Sequence, residues 1–251
     1  MAIADVRIGT AGWSIPRASA ARFETDGTHL QRYSRAFRCT EINSSFHRPH
    51  AESQYAKWRD STPPGFRFAV KTPRTITHDL KLVDAGPPFA AFMAQTAGLR
   101  EKRGPILVQL PPSLAFDDAV ARTFYDVVRS IYAGPMVCEP RHRTWFAPEA
   151  GALLERFEIG RVAADPPRVP SADVPGAAPR LAYFRLHGAP RMYWSKYDAR
   201  YIEALAATVR NLGAAEEVWC VFDNTASGAA IENAWELTAA TNGQAAGVVG
   251  T

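Results

Sequence analysis

A chain of 251 residues is long enough to enclose a sizeable core, and 47% hydrophobic with 22% charged residues excludes a disordered or collagen-like polymer. The net charge of +4 is compatible with anionic small molecules or nucleic acid and demands neither. Cys39, Cys138 and Cys220 lack CxxC spacing, which excludes a zinc knuckle and a disulfide framework and fits a reducing compartment.

No basic segment followed by an apolar run opens the sequence, and no window nears the roughly 18 apolar residues of a membrane span. A cytoplasmic protein outside the membrane is therefore expected.

In chain order, β-type runs are predicted at Val6 to Thr10, Thr40 to Ser44, Phe66 to Lys71, Ile106 to Leu110, Met136 to Glu139, Gly160 to Ala164, Leu181 to His187 and Val218 to Asp223. Between them, apolar residues recurring at three and four predict helices over Glu52 to Asp60, Pro88 to Lys102, Asp117 to Ile131, Pro148 to Phe157, Ala199 to Leu212 and Ala229 to Ala239. Breakers stand before several strands: Pro63, Pro64 and Gly65, then Gly104 with Pro105, then Gly134 with Pro135. Ile15 to Thr28 and the proline-rich Pro166 to Pro179 read as long loops over one end of the fold.

Strands alternating with helices imply a parallel sheet, and eight such runs over this length predict one domain, 1–251, closed into an α/β (β/α)8 TIM-type barrel. The competing dinucleotide fold needs GxGxxG after its first strand. Here Gly9, Thr10, Ala11, Gly12 and Trp13 supply two glycines at unsuitable spacing, so no nucleotide-cofactor motif is present.

In such barrels the site lies at the C-terminal ends of the strands, the mouth. The strand ends here carry Thr10, Glu41 with Asn43, Lys71, Gln109, Glu139 with Arg141, Asp165, Arg185 with His187, and Asp223 with Asn224. Period-two geometry turns Glu41 and Asn43 to one side of their strand, and likewise Glu139 with Arg141 and Arg185 with His187. Burying so many charges costs several kcal/mol per ion unless they are paired, so stability alone would rarely choose them.

Glu41, Glu139 and His187 are the acid or base candidates, and Lys71, Arg141 and Arg185 could clamp an anion. Trp13, Tyr193 and the remaining strand-end polar residues complete the predicted binding set. Thr225, Ser227 and Gly228 precede a helix and could bind phosphate, although Ser227 as a plain N-cap explains the same residues. A metal is not favoured, because neither HxH nor HExxH occurs. Arg141 to Phe146 and Arg191 to Tyr197 mix bases with aromatics and could stack on nucleotides or serve as a structural rim.

Several segments resemble the YecE-like family, domain of unknown function 72: Ile8 to Trp13, Glu41 to Phe46, Phe66 to Pro73, Ile76 to His78, Gln109 to Ser113, Arg141 to Phe146, Arg185 to Gly188, and Asn224 with the helix after it. The resemblance covers nearly the whole chain and implies a TIM-type barrel without implying an activity. His47 stands where that family usually has an aromatic, Pro140 follows Glu139, and Asp223 replaces the first residue of an Asn-Asn pair.

Three functional readings follow. One is an enzyme, a hydrolase or a lyase or isomerase, acting on a small phosphate- or carboxylate-bearing substrate by acid/base chemistry. The second is a nucleotide or nucleic-acid binding protein, and the third a non-catalytic, partner-binding barrel.

Overall fold

The computed structural model describes residues 5–213 and 215–243; the outer limits of the predicted domain, 1–4 and 244–251, lie outside them. Ten strands form one sheet: β1 (Asp5–Ala11), β2 (Cys39–Ile42), β3 (Arg67–Lys71), β4 (Arg103–Gln109), β5 (Met136–Glu139), β6 (Ile159–Arg161), β7 (Ala163–Asp165), β8 (Gly176–Ala177), β9 (Leu181–Leu186) and β10 (Glu217–Phe222). Their order is β7-β9-β10-β1-β2-β3-β4-β5-β6-β8, and every pairing is parallel except that of β8 with β6.

The sheet closes through the sixth predicted strand, which changes partner at Val162. Its first half, β6, pairs with β5 and its second half, β7, pairs with β9. Eight barrel staves result, and the architecture is a TIM-type barrel as the alternation predicts.

Parity along each strand divides the two faces. Cys39, Ala69, Leu107, Val137, Val162, Tyr183, Trp219 and Val221 pack together inside the barrel, while Ile8, Ile42, Phe68, Val70, Ile106, Val108, Cys138 and Phe184 face the helices. Both faces are buried, so the strands read as nearly continuous apolar runs. Tyr183 and Trp219 stack inside with ring centroids 6.0 Å apart. Gly104 is needed opposite them, because a Cβ there would lie 2.7 Å from the Trp219 ring. Below, Arg7 closes the floor by pairing with Asp5 and with Glu217 at 2.9 Å.

The outer layer contains α1 (His29–Ala36), α2 (Glu52–Asp60), α3 (Gly86–Thr96), α4 (Asp118–Ile131), α5 (Pro148–Arg156), α6 (Ala199–Arg210) and α7 (Ala229–Thr241). The predicted helix over Pro88 to Lys102 is two pieces. α3 ends at Thr96, and the 3-10 turn Ala97–Lys102 that follows has Arg100 at φ 49°.

α1 was not predicted, although Thr28 and Gln31 form a reciprocal capping box at its start. Ile15 to Thr28 is not a loop over the mouth throughout. It contains the 3-10 helix Arg17–Arg22, and Phe23 packs on Phe37 and Trp235 along the flank. Among the described residues no α-helix lies between β7 and β9; Pro166 to Pro179 occupies that place and contributes the short strand β8.

Candidate functional site

The inward parity of β2, β3, β4, β5, β9 and β10 delivers Glu41, Lys71, Gln109, Glu139, Arg185, His187 and Asp223 to the mouth, and all are buried. Arg185 is their hub, with 1% of its surface exposed. Its Nε donates to both Glu41 oxygens at 3.2 and 3.0 Å, and its Nη2 donates to Glu41 Oε1 at 2.6 Å. Nη1 reaches Glu139 Oε2 at 2.9 Å, and Nη2 lies 3.1 Å from Asp223 Oδ2. Asn43 Oδ1 accepts a longer bond from Nη2 at 3.4 Å. Tyr183, one layer deeper, donates its hydroxyl to Glu41 Oε2 at 2.9 Å.

His187 lies between two carboxylates, with Nδ1 3.1 Å from Asp223 and Nε2 3.3 Å from Glu139. Two acceptors require both ring nitrogens to donate, which is the imidazolium form. Burial lowers the affinity of this ring for its proton, but Glu139 and Asp223 outweigh burial and raise the pKa above its ordinary value. Burial would conversely raise Glu139; Arg185, Arg141 and His187 hold it well below the usual carboxylate range. Asp223 is lowered against burial by Arg185 and His187.

Lys71 stands apart from this network. Among the described residues its amine has neither a hydrogen-bond acceptor nor a carboxylate within ion-pair distance, although only 8% of the residue is exposed. Its Nζ lies 4.1 Å from the centroid of the Phe46 ring. Burial, reinforced by Arg185, pulls its pKa down to about 8.

At the rim, Arg141 pairs with Glu139 Oε1 at 2.9 Å and approaches the Tyr193 hydroxyl at 3.4 Å. The Tyr193 ring meets His187 edge-on at 5.4 Å. Arg191 lies 4.5 Å from the exposed ring of Trp194.

Other predicted residues face elsewhere. Thr10 has outward parity; its hydroxyl donates to Gly12 O at 2.6 Å and lies 3.0 Å from Tyr33 Oη. Trp13 packs edge-on against Trp58 and Phe68 in the helical layer. Asp165 is also outward and accepts a 2.7 Å bond from the Tyr197 hydroxyl. Asn224 is internal, donating to Ser195 O and Asn233 Oδ1.

The predicted phosphate corner is internally occupied. The Gly228 amide donates to Thr225 O, the Ala230 amide to Asn224 O and the Ser227 hydroxyl to Trp194 O. Glu232 brings a carboxylate into the same first turn.

Phe46, His78 and Tyr183 border the cluster without having been singled out. The His78 ring lies 4.9 Å from Phe46, and burial with Lys71, Arg74 and Arg141 lowers its pKa. Two of the three were readable, since Phe46 and His78 fall inside segments that carry the family resemblance.

Little open volume remains beside Glu139, Arg141, His187 and Met192, about 10 Å³, or room for one water. A cavity of about 600 Å³ opens at the opposite end, lined by Ile8, Phe37, Val209 and Leu212 among others, far from the charged cluster. Among the described residues no three His, Cys, Asp or Glu side chains are grouped to hold a metal ion. No helix among them is long and apolar enough to cross a membrane.

The fold has counterparts among known proteins. The chain is 29% identical over 106 residues to UPF0759 protein YecE of Escherichia coli K12, a match spanning 42% of this chain and 38% of that relative. A crystal structure of a DUF72 family protein from Enterococcus faecalis V583 superposes with a TM-score of 0.80 at 21% identity, covering 94% of this chain and 95% of the other. Another, from Thermotoga maritima MSB8, gives 0.78 at 25% identity over 93% and 98%. The family model described as a protein of unknown function, DUF72, matches residues 7–250, and the chain belongs to that family.

Proposed function

We propose that this protein is an enzyme that binds a small carboxylate- or phosphate-bearing substrate at the barrel mouth and moves a proton on it. The observation that carries this reading is Lys71, a buried cation without a hydrogen-bond acceptor or carboxylate partner among the described residues, beside groups already ionised in opposite senses. Lys71, Arg141, Arg185 and His187 outnumber Glu41, Glu139 and Asp223 by one positive charge, so the mouth attracts an anion.

Within this reading the roles differ from residue to residue. Lys71 and Arg141, whose Nη1 makes only a long 3.4 Å contact to the Tyr193 hydroxyl among the described residues, meet the anion, and the His187 imidazolium is the acid. Glu139 and Asp223 hold that proton in place. Glu41 spends its bonds on Arg185 and Tyr183, and Arg185 spends its own on Glu41, Glu139 and Asp223, which suits a scaffold better than an acid or a clamp.

A thermal-shift titration with oxalate and inorganic phosphate tests the reading. Either anion at millimolar concentration should raise Tm by linkage, and Lys71→Met should abolish the rise. No rise with either anion overturns it.

A second reading, binding of a nucleotide or single-stranded nucleic acid, is favoured by the exposed Trp194 with Arg191 beside it. Oligonucleotide binding that weakens steeply with salt and ignores Lys71→Met would replace the first reading with this one.

A further inference from the structure

Two lysines are buried in this fold, and they are treated oppositely. Lys102 donates to Arg59 O at 2.7 Å, Thr62 O at 2.6 Å and Thr62 Oγ1 at 3.1 Å, which satisfies all three ammonium hydrogens. Lys71 has no such set among the described residues. Its amine lies over the face of Phe46 and is not among the fully occluded atoms lacking a partner. The exposed fraction of Lys71 therefore includes its tip.

An ammonium needed only for structure would be bonded as Lys102 is. An amine that must attack needs its lone pair free of a fixed partner and an open tip, both of which Lys71 has, and the His187 imidazolium stands at the same barrel mouth.

We infer that Lys71 is a carbonyl-reactive amine, condensing with the aldehyde or ketone of a small oxo acid to form a Schiff base. This rests on the anionic-substrate reading and assigns the substrate class.

The condensation balances without any oxidant or reductant. Lys71 releases a proton to solvent, its nitrogen attacks the carbonyl carbon, and one of the two remaining amine hydrogens passes through solvent to the oxygen as the carbinolamine forms. The His187 imidazolium protonates the departing hydroxyl, the C–O bond breaks and water leaves. The nitrogen keeps one hydrogen as a protonated imine, so the positive charge that drew the anion survives. Arg141 meets the substrate's carboxylate with Nη1, which makes only the 3.4 Å contact to Tyr193 among the described residues.

The low affinity of Lys71 for its proton supports the attack. At about 8, roughly one amine in ten is neutral at pH 7, against far fewer than one in a hundred for an ordinary lysine.

The test is reductive trapping on the full chain at pH 7 with glyoxylate and sodium cyanoborohydride, followed by peptide mapping over time. Lys71 should be modified about ten-fold or more faster than the exposed Lys57 and Lys81, with its rate levelling off near pH 8 while theirs keeps rising. Lys71→Arg should lose the adduct yet keep the rise in Tm with oxalate. Should that variant fail to fold, oxalate must still slow trapping of Lys71 in the wild type.

Trapping of Lys71 no faster than of Lys57 overturns the inference. If oxalate nevertheless stabilises the protein, the anion reading stands alone. If oxalate has no effect either, both fall.

Discussion

Arg185 and Glu41 lie on strands at opposite sides of the β10–β1 pair, yet their side chains meet inside the barrel through three contacts of 2.6 to 3.2 Å. Neither side chain is solvated, and the two reach each other only because both strands present the same parity at the same height. Removing one partner would leave the other charge buried and uncompensated. Arg185→Ala should therefore destabilise the fold by about 3 to 5 kcal/mol in urea unfolding. Arg185→Lys should rescue little, since an ammonium cannot reproduce the planar fork that spans Glu41 and Glu139. A folded Arg185→Ala protein with unchanged stability would remove Arg185 from the scaffold and return it to the substrate.

Tyr183 supplies the remaining bond to Glu41. Tyr183→Phe keeps the stacking with Trp219 but withdraws a hydroxyl from a buried carboxylate, for a loss of about 1.5 to 3 kcal/mol. Chemical denaturation measures it. A loss below half a kcal/mol would mean that Arg185 alone satisfies Glu41.

His187 gives stability a dependence on pH. Its pKa is raised on folding, so its contribution is fully present below the ordinary value of 6.5 and is lost as pH rises through the higher folded value. As pH rises above 6.5 the wild type should lose stability that His187→Gln does not lose. Unfolding free energies across that range for both proteins provide the measurement, and parallel curves would contradict the imidazolium.

Lys71 runs the other way. Its folded pKa of about 8 lies below the ordinary 10.5, so the unfolded chain holds the proton more tightly and the wild type gains stability as pH rises between those values. Lys71→Met should be more stable than wild type at pH 7, by on the order of 3 kcal/mol at most, with the advantage gone above pH 10.5. Equal stability at pH 7 would mean that the ammonium has partners in solution.

Much of this site could be read from the strands. Glu41, Glu139, Arg185 and His187 each follow an apolar inward residue at an even spacing, so parity alone directs them to the mouth. Parity also explains where the reading failed. Val162 points inward, which turns Ala164 in and Asp165 out, but a strand that changes partner midway leaves no mark in a run of small apolar residues. Thr10 was misread for a similar reason, because the segment Ile8 to Ala11 has no polar alternation to show its phase. α1 escaped because Leu30 and Tyr33 are its only buried large side chains, too few for a period. Pairing among the charges was the least legible feature, since it depends on which side chains meet across the barrel.

Gly188 shows how a residue beside the site can serve the frame. It follows His187 directly, and a close approach to ligand is one use for a glycine there. The structure instead gives it φ +89°, with the space of a missing Cβ filled by Ser195 O at 2.6 Å and Asn224 Cβ at 2.9 Å. Its amide donates to the Tyr197 hydroxyl at 2.8 Å, which also holds Asp165. The glycine thus lets the rim segment 189–197, with Tyr193 and Trp194, fold back against the end of β10. Gly188→Ala would meet both the left-handed backbone penalty of about 1 to 2 kcal/mol and a collision with Ser195. Its Tm should fall, and limited proteolysis should cut first within 189–197, ahead of any cut in the barrel. If Gly188→Ala kept the wild-type Tm and cleavage pattern while the oxalate-induced stabilisation disappeared, Gly188 would belong to the ligand and not to the rim.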